Sequence, residues 1–93
     1  MLFLIHCTDK PKSGAIRAET RPKHLAYLES SKVTWAFAGP MLADDGVAAK
    51  GSLLIGDFAD LAAAKAFAQH DPYAVAGLFE NVTVMPTRKV LPA

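Results

Sequence analysis

The sequence predicts an α+β domain of the ferredoxin-like type, in which a four-stranded antiparallel sheet carries two helices on one face. Three observations predict this class. Four short segments have the apolar or alternating pattern of strands, two longer segments have the composition of helices, and their order is β-α-β-β-α-β. The chain has 93 residues, enough for one such domain, so we expect residues 1–93 to form a single unit.

The first two strands are predicted from apolar patterns. Residues 2–7 form a continuous apolar run that is too short for a helix, which indicates a strand buried on both faces. In residues 33–39, Val33, Trp35 and Phe37 alternate with smaller residues, which is typical of a strand. We therefore expect these three side chains to share one face of the sheet.

A hairpin is predicted to connect the second strand to the third. Asp45 and Gly46, within residues 43–51, are residue types that tight hairpin turns favour. Apolar residues resume over 52–58, which is the predicted third strand, and residues 81–86 supply the fourth.

Two helices lie between these strands. The first is predicted over residues 15–31, but Pro22 lacks a backbone donor, so we expect the helix to kink or restart there, with Thr20 as the cap of the restart. The second begins after Asp57 or Asp60, either of which can act as its N-cap. Its predicted apolar stripe consists of Leu61, Ala64, Phe67 and Ala68.

One face of the predicted sheet has no helix to cover it. The chain is 52% hydrophobic, with a mean hydropathy of +0.20, and this apolar content is high for a small monomer. Because the first strand is apolar on both faces, the uncovered side needs a partner. We therefore expect a homodimer that buries sheet face against sheet face.

Composition and charge argue against several kinds of partner and location. A net charge of +1 provides no basic stripe for nucleic acid. No apolar run is long enough to span a bilayer, and residues 1–7 lack the length and the basic flank of a signal peptide. The single cysteine, Cys7, cannot form an intrachain disulfide. These features predict a soluble, cytoplasmic protein with neither a nucleic-acid nor a membrane partner.

Few residues are available to hold a metal ion or a cofactor. The only histidines are His6, His24 and His70, and His6 and Cys7 are neighbours in a strand, so they point to opposite faces and cannot ligate one ion together. The glycines lack the spacing of a phosphate-binding loop. We expect no metal and no cofactor.

Asp71 raises a question of its own, because a carboxylate at the end of the second helix opposes the helix dipole, at a cost of up to about 1 kcal/mol. Asp71 can cap a short helical turn that begins at Pro72 and closes at Gly77. It can also pair with His24, because both helices are expected on the same face of the sheet. The two roles are compatible, since a carboxylate has two oxygens. The alternative for His24 is an ordinary solvated histidine.

Five segments, in the same order and over nearly the whole chain, resemble the motifs of the YciI-like (YCII-related) family. They are CTDKP, RPKHLAYL, AGPML, GSLLI and HDPYAVAGLF. The resemblance implies a dimeric α+β barrel related to muconolactone isomerase, with a site formed by the histidine of RPKHL, His24, and the aspartate of HDPY, Asp71. One branch of the family is similar to enzymes that remove HCl from chlorinated hydroxyquinols. His6 and His70 are not residues that mark the family, and their roles stay open.

On this resemblance we expect proton-transfer chemistry on a small molecule. His24 would act as general base or acid near neutral pH, and Asp71 would fix its tautomer. The expected substrate-binding residues are Arg17, Arg21, Pro40 and Tyr73, the arginines for an anionic oxygen and the other two as pocket walls. The alternative for each arginine is a solvated helix charge.

Two other functions remain open at this point. A dimeric protein that binds a small molecule without turnover fits the same residues. A monooxygenase of the same barrel type is also compatible, and consumption of oxygen would distinguish it.

Overall fold

A computed structural model describes residues 1–93 as a four-stranded antiparallel sheet with helices on one face. The strands are β1 (Leu2–Asp9), β2 (Trp35–Leu42), β3 (Ala49–Asp57) and β4 (Phe79–Pro86), and the helices are α1 (Gly14–Ser30), α2 (Leu61–His70) and α3 (Pro72–Val75). The strand order is β2-β3-β1-β4, with every neighbouring pair antiparallel. The predicted α+β class and βαββαβ order are confirmed, and the short α3 follows α2 directly. None of the helices combines the length and the apolar character needed to cross a membrane.

The core lies between the sheet and the helices, and the central strand β1 supplies much of it. Phe3, Ile5 and Cys7 alternate along β1 and are buried against the helices, together with Leu54 of β3. On the opposite face of β1, the side chains are only half-buried. The prediction that β1 is buried on both faces is therefore wrong for the single chain, because helices cover one face only.

A bulge in β2 separates two aromatic residues that were expected to share a face. Trp35 pairs with Gly56 but Phe37 pairs with Ile55, so Ala36 is an extra residue in the ladder. Trp35 consequently packs edge-to-face on Phe58 and Phe67 of the core, whereas Phe37 is 50% exposed on the uncovered face. The prediction of a common face for Trp35 and Phe37 is wrong, since one inserted residue reverses the alternation.

Helix α1 is continuous through Pro22, so the predicted restart capped by Thr20 is also wrong. A proline in a helix interior costs about 3 kcal/mol or more, because it removes a hydrogen bond and crowds the preceding turn. Tertiary contacts offset this cost. Arg17 and His24 anchor α1 on both sides of the proline, through contacts to β1, β3 and the α2–α3 junction.

Two aspartates cap the starts of α2 and α3. Asp60, one of the two predicted N-caps, accepts a hydrogen bond from the Ala63 amide at 2.8 Å and starts α2. Asp71 ends α2 and is also the N-cap of α3, because its side chain accepts from the Tyr73 amide at 2.9 Å. Gly77, with φ of +78°, follows α3 in the left-handed conformation that favours glycine. The predicted capped turn is confirmed, and its tight geometry holds Asp71 in the interior.

Candidate active site

A histidine–aspartate pair lies at the centre of the buried polar residues. Nδ1 of His24, in the middle of α1, is 2.9 Å from Oδ1 and 3.0 Å from Oδ2 of Asp71. Both side chains are buried. An ionised carboxylate can only accept, so the Nδ1–H of the imidazole is its donor, and a neutral ring paired in this way carries its lone pair on Nε2.

The free nitrogen of this pair keeps access to solvent. Nε2 of His24 has no hydrogen-bond partner in the protein. The Trp35 indole nitrogen is the only side-chain nitrogen or oxygen that is both sealed from solvent and without a partner, so Nε2 of His24 retains some solvent contact. His24 lines a cavity of about 250 Å³ between α1, β2 and β3. The pair therefore presents a basic nitrogen to a small, partly enclosed space.

All the predicted site residues except Asp71 line this cavity, and Asp71 lies behind His24. The cavity wall includes Arg17, Arg21, His24, Pro40, Ser52 and Tyr73. A larger cavity of about 360 Å³ lies between α2 and β4, but its only polar side chains are Lys65 and Gln69. The smaller cavity is the better candidate site, because a basic nitrogen and a cation converge on it.

Arg17 is held in place by a second aspartate. Its Nε and one terminal nitrogen bind the two oxygens of Asp9 at 2.7 and 3.0 Å, and the same terminal nitrogen donates to the Ser52 hydroxyl at 2.9 Å. Burial by itself would lower the pKa of the Arg17 guanidinium, but hydrogen bonding and charge attraction to Asp9 raise it. Arg17 is therefore a fixed cation rather than a solvated helix charge, whereas Arg21 is exposed at the rim of the cavity.

Tyr73 packs between the cation and the base. Its ring stacks on the His24 imidazole with centroids 4.1 Å apart, and the Arg17 guanidinium carbon lies 4.6 Å from the ring centroid. Arg17 and His24 are seven residues apart, about 10 Å along α1, which leaves room for one aromatic ring between them. Burial raises the pKa of the Tyr73 phenol, while the nearby Arg17 and Arg21 oppose this shift.

Sequence patterns missed two members of the site, Asp9 and Ser52. Asp9 ends β1 and Ser52 lies early in β3, where it pairs with Pro40 of β2. Neither stands out by itself, because Asp9 meets Arg17 across the β1–α1 connection and Ser52 meets it only through the register of β3 in the sheet. Two of the quoted family segments were the available signals, CTDKP with Asp9 and GSLLI with Ser52.

The remaining histidines and the cysteine lie outside the cavity. His70 is exposed and contacts the Ala66 carbonyl at 2.7 Å, so it does not compete with His24 for Asp71. His6 projects from the uncovered face of β1.

Cys7 is buried as a free thiol, and burial raises its pKa to about 12, with smaller contributions from Asp71 and Asp9. No group of three or more His, Cys, Asp and Glu side chains is arranged to hold a metal ion.

Comparison with known proteins relates this geometry to a family. The YCII-related domain matches residues 1–88. Protein YciI of Escherichia coli is 42% identical, and the alignment covers 97% of this chain and 99% of that protein. An uncharacterized protein of Haemophilus influenzae is 33% identical with the same coverage.

Solved structures show the same relationship. The 5-chloro-2-hydroxyhydroquinone dehydrochlorinase TftG of Burkholderia phenoliruptrix, in complex with 2,5-dihydroxybenzoquinone, has a TM-score of 0.86 and 35% identity, covering 95% of this chain and 94% of that chain. An antibiotic biosynthesis monooxygenase has a TM-score of 0.56 at 12% identity, covering 96% of this chain and 100% of the other, and this similarity concerns the fold alone. On these matches, the chain belongs to the YCII-related family.

Proposed function

We propose that this protein is a small lyase or isomerase that needs no cofactor and moves protons with His24 and Asp71. One observation carries the proposal. A buried imidazole, oriented by a carboxylate at 2.9 Å, lines a cavity of about 250 Å³, and its second nitrogen has no partner in the protein. A base and the group that orients it are the minimum needed for general acid–base catalysis.

The two residues have separate roles in this mechanism. His24 takes a proton from the substrate through Nε2 and returns it to another atom of the same molecule. Asp71 keeps the hydrogen on Nδ1 and stabilises the imidazolium that forms between the two transfers. The Tyr73 amide holds one Asp71 oxygen, so the carboxylate stays aligned while the charge on the ring changes.

A chlorinated hydroxyhydroquinone is the proposed substrate class. The printed name of TftG specifies dehydrochlorination of 5-chloro-2-hydroxyhydroquinone, and that enzyme is 35% identical to this chain. Loss of HCl from such a ring balances when two hydroxyl protons leave, one of them is returned to the carbon that bears chlorine, the other passes to solvent, and chloride departs with the C–Cl electron pair. The organic product is a hydroxyquinone. One imidazole that accepts and then returns a proton fits this sequence.

Other cavity residues would bind and orient the ring. Arg17 and the Ser52 hydroxyl are adjacent donors, so a deprotonated ring oxygen would bind beside them. Tyr73 and Pro40 would form walls, and Arg21 would add positive charge at the rim. A cavity of this volume accommodates one six-membered ring, which argues for a monocyclic substrate.

Release of chloride tests the proposal directly. Purified protein is incubated with 5-chloro-2-hydroxyhydroquinone without oxygen, because air oxidises hydroquinones to quinones by itself, and chloride is measured over time. We expect saturable release over many turnovers, and none from His24→Asn. Release no faster than in buffer would overturn the lyase assignment.

A non-enzymatic binding protein is the second candidate, and one observation favours it. Asp71 already has a structural role as the cap of α3, so its bond to His24 is also explained as part of the fold. Stoichiometric binding of 2,5-dihydroxybenzoquinone in calorimetry, without any chloride release from the chlorinated compound, would support this alternative.

The proposal includes a homodimer formed through the uncovered sheet face. Leu4 of β1 and its partners Ile55 and Met85 form an apolar row across the sheet on the face that no helix covers. Exposed apolar surface of this kind is typical of an interface. Because the cavity lies on the opposite, helix-covered face, the dimer and the chemistry are separate parts of the proposal.

A further inference from the structure

The helix wall of the active-site cavity changes from polar to apolar along α1. Four cavity residues share one stripe of this helix, because they are spaced four, three and four positions apart: Arg17, Arg21, His24 and Leu28. Along the helix axis, Arg17 lies about 10 Å before His24, and Leu28 lies about 6 Å after it. The stripe therefore runs from two cations, past the imidazole, to an aliphatic side chain.

The sheet wall changes in the same direction. Ser52 of β3, which contacts Arg17, pairs with Pro40 of β2. Two residues further along β3, about 7 Å away, Leu54 pairs with Ala38. Because β3 is antiparallel to β1 and α1 folds back after β1, β3 and α1 run the same way. Both walls are therefore polar at one end of the cavity and apolar at the other.

Ala38 leaves open space at the apolar end. Paired residues of neighbouring strands point to the same side of a sheet, so Ala38 shares the helix-covered face with its buried partner Leu54. Ala38 is nevertheless exposed, and it lines the cavity. A longer side chain at this position would project into space that a ring substituent could otherwise take.

We infer that the apolar end of the cavity, formed by Leu25, Leu28 and Ala38, holds the chlorine-bearing side of the substrate ring. Ala38 then determines whether the chlorine fits. This inference rests on the proposed function and specifies how the ring is oriented in the same site. The deprotonated ring oxygen would lie at the opposite end, beside Arg17 and Ser52.

This orientation suits the chemistry at each end. A carbon-bound chlorine has a hydrophobic surface, which leucine and alanine side chains can cover. A free chloride ion carries a full charge, and the three apolar side chains offer it no donor, so it leaves to solvent past the exposed Ala38. His24 lies between the two ends, where one nitrogen can take a proton from oxygen and return it to carbon.

A matched pair of ligands tests the orientation without depending on turnover. 5-Chloro-2-hydroxyhydroquinone and 2-hydroxyhydroquinone differ only by the chlorine. Their dissociation constants are measured by calorimetry without oxygen in the His24→Asn protein, so that no catalytic step consumes the ligand. We expect the chlorinated ring to bind about fourfold more tightly, which is the contribution of one buried group of methylene size. Equal dissociation constants would overturn the inference.

Ala38→Val in the same protein should abolish the preference for the chlorinated ring, because the added methyl groups occupy the space of the chlorine. Valine is favoured in strands, and circular dichroism checks that the variant folds. Ala48→Val is the matched control, since Ala48 is exposed and does not line the cavity, and it should keep the preference. A preference that survives in Ala38→Val would also overturn the inference.

Arg17→Lys separates contact with the chlorine from an effect on acidity. Chlorine makes the ring hydroxyls more acidic, and a more acidic hydroxyl binds a cation more tightly. We expect Arg17→Lys to weaken both ligands by a similar factor and to keep the preference. A preference lost in Arg17→Lys but kept in Ala38→Val would assign it to acidity and overturn the inference. Failure of the wild-type protein to release chloride would overturn the lyase assignment alone, because the binding ratios do not depend on turnover.

Discussion

His24 and Asp71 are 47 positions apart in the chain, yet the imidazole Nδ1 lies 2.9 Å from a carboxylate oxygen of Asp71. The contact joins the middle of α1 to the single residue between α2 and α3. It answers the question that the sequence raises about Asp71. The carboxylate that opposes the dipole of α2 is compensated by the α3 amide of Tyr73 and by the imidazole.

Replacement of His24 tests its role in the chemistry. We expect His24→Asn to reduce kcat for chloride release by about 10²–10⁴-fold, the usual range for removal of a general acid–base group. His70→Asn is the matched control, because His70 is exposed and does not line the cavity, and the kcat of this variant should stay near the wild-type value. A His24→Asn enzyme with kcat within about threefold of wild type would rule out the proposed base.

The capping aspartates allow structure and chemistry to be separated. Asp71→Ala removes a helix cap and a buried bond to His24, so we expect a loss of about 2 kcal/mol in the free energy of unfolding, together with the loss of turnover. Asp60→Ala also removes a cap but lies outside the cavity, and it should be less destabilising and fully active. Chemical denaturation and chloride release measure the two effects. Comparable turnover in the two variants would contradict a role for Asp71 in proton transfer.

Arg17 is expected to bind the substrate anion. Arg17→Lys keeps the charge beside Asp9 but cannot contact Asp9, Ser52 and the Tyr73 ring together. We expect kcat/KM to fall at least about tenfold, together with a lower melting temperature, because the buried Ser52 and one Asp9 oxygen lose their partner. Arg21→Lys, at the exposed rim, should change kcat/KM less than about twofold. If the Arg21 variant is the more impaired, the anion binds at the rim instead.

Cys7 gives the fold a predictable response to alkaline pH. Burial raises the pKa of the Cys7 thiol from 9.0 to about 12 in the folded chain. Between these values the unfolded chain loses a proton that the folded chain keeps, so stability is complete below pH 9 and falls as the pH rises toward 12. Denaturation at several pH values should show this fall in stability, and Cys7→Ala should reduce the slope of stability against pH.

The native thiol should also resist a thiol reagent at pH 8 until denaturant is added, and fast labelling of the folded protein would contradict the burial of Cys7.

The accuracy of the sequence predictions depended on how local each feature is. The prediction included Asp71-Pro72 as a cap, Asp60 as one of two possible starts of α2, and the order of the elements, since each depends on a few neighbouring residues. The face of Phe37 was predicted wrongly, because one bulge residue in β2 reverses the alternation. The break at Pro22 was predicted wrongly, because tertiary contacts outweigh the local preference.

The candidate site was predicted only in part. His24 and Asp71 were named as a pair from the expected packing of both helices on one face and from the family resemblance, but no spacing in the sequence determines their distance. The fixed position of Arg17 was not predicted, since it depends on Asp9 and on Ser52, which is 35 positions away. Strand register and helix packing bring these groups together.

By itself, the sequence determined the α+β class, the element order and the residue types available for proton transfer, because periodicity, capping and turn preferences act over a few residues. Only the tertiary structure decided which groups meet. It placed His24 beside Asp71, Arg17 beside Asp9 and Ser52, and Tyr73 between the base and the cation. It also left one sheet face uncovered, because the helices that complete the core all pack on the other side.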